Sequence, residues 1–266
     1  MSQLPTLAKR RALRGGRELQ DGRHVYWWLE LLMIFAFYEV YSFVRNANEG
    51  GTAEAFHNAK RLIGWQRAMG IYHEELLQDW AQQFKPLIIA ANYFYGSLHF
   101  VVTIGCGILL YRKFTNDYPR FRNMLGITTA LALIGFTRFP LMPPRLLPES
   151  YGFVDTLAKY PTFWSFNSGA VSKISNQFAA MPSVHVAWAT WCTLVLYPRV
   201  KHRWAKVLAV LYPITTVIVI TITGNHYILD AVGGLVVLAA GWILSGIFTR
   251  AGRKPRVVDA TESVAA

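Results

Sequence analysis

The segment Gly224-Asn225-His226-Tyr227-Ile228-Leu229-Asp230 sets an imidazole and a carboxylate four residues apart, on one face of a helix that begins there. A carboxylate so placed holds an imidazole in one tautomer and leaves the opposite ring nitrogen as a base, nucleophile or ligand. The plainer reading is that Asp230 only caps the helix or pairs locally. A second segment, Ala180-Met181-Pro182-Ser183-Val184-His185, opens another apolar stretch. Proline at a helix start followed by a free serine amide suits anion binding, because first-turn amides lack intrahelical partners and the dipole favours negative charge. Its alternative is an N-cap serine beside a packed histidine. In a third, Arg138-Phe139-Pro140-Leu141-Met142-Pro143-Pro144-Arg145, two arginines flank a proline-rich turn. Their fork-shaped donors can converge on one anion or anchor to lipid head groups. His99, Glu30 and Glu39 fall inside apolar stretches, where they either pair within a bundle or relay protons.

The elements that must position these residues belong to a membrane protein. The chain has 266 residues, a net charge of +12, 53% hydrophobic and only 16% charged residues, which excludes a disordered chain. Six apolar stretches read as transmembrane helices: 25–44, 87–111, 124–139, 182–197, 205–223 and 228–248. Two of them, 124–139 and 182–197, are short and need flanking residues or cover from neighbours. The first is expected to stay as an anchor rather than be cleaved, because Glu30 and Glu39 interrupt it. The fold expected is all-α, a polytopic six-transmembrane-helix bundle. Cys106 and Cys192 both lie in apolar stretches, so neither a disulfide framework nor a cysteine metal site is available.

Basic residues gather in four places: Lys9 to Arg23, Arg112 to Arg122, Arg199 to Lys206, and Arg250 to Arg256. Six crossings put all four on one side, which the positive-inside rule makes cytoplasmic, with both termini there. The basic surplus then follows topology and forms no stripe interleaved with exposed aromatics, so no nucleic-acid partner is expected. The organisation reads as a basic cytoplasmic tail (1–24), a membrane catalytic domain (25–249) and a second cytoplasmic tail (250–266). Within the domain, 52–85 has apolar residues at helical spacing with charges between them, as interfacial amphipathic helices or a small soluble cap would. The other outer segment, 140–181, is a long extracytoplasmic loop rich in aromatics such as Tyr151, Phe153, Phe163, Trp164 and Phe166.

In that orientation Arg138, Arg145, Ser183, His185, His226 and Asp230 all fall at non-cytoplasmic helix ends. Two histidines, a carboxylate, two guanidiniums and a helix N-terminus, with no thiol, describe phosphoryl chemistry better than acyl transfer. Arginines and amides would hold phosphate, one histidine would attack phosphorus and the other would protonate the leaving oxygen.

Over 138–234 the sequence resembles the type 2 phosphatidic acid phosphatase (PAP2) superfamily, and within it the branch that includes the inositol phosphorylceramide synthases. The family signature is a lysine followed seven residues later by Arg-Pro, then Pro-Ser-x-His, then Ser-Arg followed by His-x-x-x-Asp. Pro182-Ser183-Val184-His185 and His226-Tyr227-Ile228-Leu229-Asp230 match the second and third parts, and Arg138 and Arg145 match the spacing of the first. The resemblance implies His226 as nucleophile through a phosphohistidine, Asp230 as its orienting partner and His185 as general acid. It also implies phosphate binding by Arg138, Arg145 and Ser183, with no metal or other cofactor. Six residues before His226, where the family often has arginine, stands Ile220, with Asn225 as one substitute donor. The function expected is a membrane lipid phosphatase or phospho-head-group transferase on the extracytoplasmic face, with a lipid phosphate or phospholipid as partner. Hydrolysis and transfer share the phosphohistidine step, and the aromatic-rich loop, which could hold an acceptor and exclude water, favours transfer. The alternative is a non-catalytic membrane scaffold or a proton-coupled transporter using His99, Glu30, Glu39 and Asp230.

Overall fold

The turns that end the helices decide where the polar residues fall. The computed structural model describes residues 16–47, 51–160, 162 and 178–251. The basic residues before 16, Phe163, Trp164, Phe166 and the tail after 251 lie outside the described residues. Along the chain run the short strands β1 (Gly16–Glu18) and β2 (His24–Tyr26), then α1 (Trp27–Ala47), α2 (Thr52–Ala68), α3 (Glu74–Gln82) and α4 (Lys85–Tyr93). A π turn, Phe94–Leu98, joins α4 to α5 (His99–Lys113). There follow α6 (Tyr118–Arg138), the short α7 (Thr156–Lys159), α8 (Val184–Leu196), α9 (Arg203–Ile222) and α10 (Ile228–Ala251).

The chain is mostly helical, and three helical stretches are long and apolar enough to cross a membrane among the described residues: Lys85–Lys113, Arg203–Ile222 and Ile228–Thr249. Six were expected. The 124–139 stretch lengthens into the 21 residues of α6 by taking in Tyr118 to Asn123, whereas the 182–197 stretch yields only the 13 residues of α8. Its brevity follows from its place: α8 packs against α5, α6, α9 and α10, with Ala187, Trp191, Cys192 and Val195 buried. A helix apolar on all sides is at home in such a centre.

The two ends of the bundle differ in chemistry. At one end the basic segments meet: Arg17 donates to the Arg112 carbonyl, Tyr111 to the Val25 carbonyl, and Arg199 pairs with Asp117. Glu30 belongs to this end, held by Arg122 at 2.6 Å and by the Tyr118 hydroxyl at 2.9 Å. A β1–β2 hairpin, in the register Arg17 opposite Val25, also lies here and was not foreseen in an all-α reading. It turns at Asp21-Gly22, with Gly22 at φ 77.

At the other end α2 and α3 cover the helix termini. Ala55, Ala59, Leu62 and Ile63 of α2 share a buried cluster with Leu141, Met142, Leu147, Phe153, Ala180 and Tyr227. The helix α3 is inverted: Glu74, Gln78 and Ala81 are buried, while Leu76, Leu77 and Trp80 face outward.

Candidate active site

Two local motifs place His226. The helix α9 ends in a Schellman motif: Gly224 N–H donates to the Thr221 carbonyl and Asn225 N–H to the Ile220 carbonyl, with Gly224 at φ 68. Three residues later α10 begins on half of a capping box, because Asp230 Oδ2 accepts from the Tyr227 N–H at 2.9 Å. Between the motifs His226 is only 3% exposed. Its Nδ1 lies 2.8 Å from the Ala180 carbonyl and 3.3 Å from Asp230 Oδ2. A carbonyl only accepts, so Nδ1 carries the proton and the neutral ring keeps its lone pair on Nε2. The Ala180 carbonyl is delivered by a parallel bridge between Leu141 and Ala179, with Leu141 N–H donating to the Phe178 carbonyl. Asp230 therefore both caps its helix and faces the imidazole, and its Oδ1 is buried without a hydrogen bond among the described residues.

The start of α8 is locked against α10. Ser183 N–H donates to the Asp230 carbonyl at 2.9 Å, and its side chain caps Val186 N–H. The serine amide expected to be free is thus engaged; the first-turn amides of Val184 and His185 are the ones no described residue takes up. Close approach makes this lock possible: a Cβ on Gly234 would sit 2.4 Å from the Ser183 carbonyl, and one on Gly135 2.5 Å from the Pro182 ring. From this start His185 projects toward His226, with ring centroids 5.5 Å apart. Its ring also stacks on Tyr95 at 4.3 Å and 20° and meets His99 at 4.3 Å and 57°.

Arg145 reaches the same layer. Its amide donates to the Gly224 carbonyl, its Nε to Asn225 Oδ1 at 3.0 Å and its Nη1 to Asp155 at 2.9 Å. Nη2 makes no hydrogen bond among the described residues. Asn225 also donates to Thr223 Oγ1, so it serves to aim Arg145. The side chain of Ile220 packs with Val186, Ala231 and Tyr95, which closes the position where the resemblance expects arginine. Arg138 ends α6 exposed, and no hydrogen bond or ion pair joins it to the cluster among the described residues. The structure therefore brings together His226, Asp230, His185, Ser183, Arg145 and Asn225, and leaves Arg138 at the rim.

Several contributors escaped sequence reasoning. Glu74, fully buried, accepts from Gln66 and from the Ile228 N–H at 2.9 Å, so a carboxylate on α3 satisfies the first turn of α10. Gln78 brackets Val154 through both of its amide atoms. The Tyr227 hydroxyl donates to the Met142 carbonyl, and burial, with the Asp230 carboxylate nearby, pushes that phenol well above its ordinary range and keeps it a donor. The only signal for Glu74 and Gln78 was their i, i+4 spacing, which looks like a solvated face. Backbone acceptors such as Ala180 carry no sequence signal.

Chemically, the cluster offers an imidazole lone pair, a second imidazole within reach and a guanidinium held by two partners. Among the described residues no three His, Cys, Asp or Glu side chains are grouped to hold a metal ion. The family model described as PAP2 superfamily matches residues 60–244. No curated protein and no solved structure matches the chain. The chain belongs to the PAP2 superfamily.

Proposed function

We propose that this PAP2-superfamily chain is an integral membrane enzyme that cleaves or transfers the phosphoryl or phospho-head group of a lipid, through a phosphohistidine on His226. The observation that carries the reading is the His226 ring itself: Nδ1 is committed to Ala180 and Asp230, which leaves Nε2 as the one free lone pair. In the reaction His226 Nε2 attacks phosphorus and the ester P–O bond breaks. His185 gives its proton to the leaving oxygen and takes one back from the water or alcohol that cleaves the phosphohistidine. Arg145 and the unpaired amides of Val184 and His185 hold the phosphoryl oxygens, with Arg138 at the entrance and Ser183 fixing the α8 start.

The membrane part of the proposal is six crossings, with α1, α6 and α8 joining the three stretches that meet the length requirement. The basic end is cytoplasmic, as are both termini, and the site is extracytoplasmic. The inverted α3 supports an interfacial position for 52–85, since its polar side faces the site and Leu76, Leu77 and Trp80 point away. A branch resembling the inositol phosphorylceramide synthases is favoured by Pro143-Pro144-Arg145 and by Ile220 in place of arginine.

The test is purified protein assayed with a panel of lipid phosphates and phospho-head-group donors, with and without vanadate. Release of phosphate or exchange of head group that vanadate blocks and that His226→Ala and His185→Ala abolish is the expected result. Activity that survives either substitution overturns the mechanism, and chelator-sensitive activity overturns the metal-free chemistry.

A further inference from the structure

One titratable group in this layer has no part in the reaction as written. His99, on α5, is 7% exposed and is no element of the histidine–aspartate pair. Its Nδ1 lies 3.0 Å from the Tyr95 carbonyl one turn earlier, so Nδ1 is the protonated nitrogen. Tyr95 sits in the π turn Phe94–Leu98, where the change in backbone register frees carbonyls from the regular helical ladder and lets side chains use them.

We propose that His99 is a positioning residue for His185, a role that rests on the phosphohistidine reading above. Among the described residues the His185 ring is oriented by ring contacts, and it extends across to α5. There the Tyr95 and His99 rings, one turn apart on the same face, receive it at 4.3 Å each. Trp188, 5.9 Å from His99, lies behind that contact. The Tyr95 ring sets the plane of the His185 imidazole and the His99 ring sets how far it turns. By donating to the Tyr95 carbonyl at 3.0 Å, His99 fixes its own ring against His185. His99 exchanges no proton with substrate. It acts by keeping the His185 nitrogen aimed at the leaving oxygen, 5.5 Å ring to ring from His226.

This role separates from a merely structural one by leaving-group dependence. Loss of a well-aimed general acid slows expulsion of a poor leaving group such as an alkoxide and hardly affects a good one such as 4-nitrophenolate. The experiment measures release of the leaving group in a single turnover, the step before His185 acts as base, and compares dioctanoyl phosphatidic acid with 4-nitrophenyl phosphate, using wild type, His99→Phe, His99→Gln, His185→Ala and His226→Ala. His99→Phe keeps the ring contact without the donor. It is expected to slow that release from the alkyl ester about a hundred-fold, the cost of a misplacement of about 1 Å, and to leave the aryl ester within a few-fold of wild type. His99→Gln restores a donor to the Tyr95 carbonyl and should recover much of the lost alkyl-ester rate. Equal losses on both esters, or wild-type rates in His99→Phe, overturn the inference. Alkyl-ester activity of His185→Ala at the wild-type level, wild-type activity of His226→Ala on either ester, or no turnover of either ester by wild type, overturns instead the reading on which it rests.

Discussion

Replacing Asp230 by asparagine separates the two tasks that its carboxylate performs. The amide oxygen can take the place of Oδ2, accept from Tyr227 N–H and face His226 Nδ1, while its NH2 falls where Oδ1 has no partner. The cap therefore survives and the charge is lost. When Nε2 attacks phosphorus the imidazole becomes cationic, with Oδ2 at 3.3 Å from Nδ1. A unit-charge attraction at that distance and an effective dielectric of 20 is about 5 kcal/mol. A neutral hydrogen bond returns about 1 kcal/mol of it, so a deficit of about 4 kcal/mol translates into a fall in kcat of about 10³-fold. The assay is single-turnover cleavage of a lipid phosphate in detergent, beside thermal unfolding of the same preparations. Asp230→Asn, which buries an NH2 without a partner, should lose about 1 to 3 kcal/mol, and Asp230→Ala about 1 kcal/mol with the cap, so both should stay folded at the temperature of the assay. A wild-type rate in Asp230→Asn would falsify the argument, since the carboxylate would then be a cap and nothing more.

Three further outcomes follow from contacts around the site. Gly224→Ala places a Cβ 2.7 Å from Gln78 Nε2 and 3.4 Å from the Arg145 amide at φ 68, which should cost about 2 to 3 kcal/mol of stability. Gly22→Ala, at φ 77 in open space, should cost only about 1 kcal/mol; equal unfolding shifts would refute the crowding. Glu74→Ala strands the Gln66 amide and the N–H groups of His73 and Ile228. It should cost about 3 to 5 kcal/mol, at about 1 to 3 for the buried Gln66 donor and about 1 for each of the two part-buried N–H groups, with Glu74→Gln between it and wild type in thermal unfolding. Arg145→Lys loses the fork that spans Asn225 and Asp155 and should raise KM for a phosphoester about ten-fold or more, measured by initial rates; an unchanged KM would remove Arg145 from phosphate binding.

What could be read in advance was whatever repeats along one element. The pairing of His226 with Asp230 announced itself by a four-residue spacing, although α10 begins only at Ile228 and His226 stands in the turn before it rather than on its face; α9 and α10 announced themselves by unbroken apolar runs. The α9 stop was legible too, because glycine at 224 is what a Schellman turn requires. What stayed hidden were contacts made by backbone atoms or across long separations: the Ala180 carbonyl on His226, the Ser183 amide on Asp230, Asp155 on Arg145. Residue type says little about where a carbonyl will point. The two arginines show the same limit, since their spacing is that of a shared anion site, yet Arg145 is drawn inward by Gly224 and Asn225 while Arg138 ends exposed.

The helix α3 shows why a correct period can carry the wrong direction. In a water-soluble domain the charged side of an amphipathic helix faces solvent, and Glu74 and Gln78 would be expected outside. Here they are buried against the His226 turn, and the apolar side is exposed. The inversion is stable only if two conditions hold together: the inner polar atoms find partners, which Ile228, Gln66 and Val154 supply, and the outer face meets something other than water. Glu74 thereby ties the covering helix to the first turn of α10. A shift of α3 on its outer support would be felt at the Ile228 amide that starts α10, two residues after His226, so the covering segment and the proposed nucleophile form one mechanical unit.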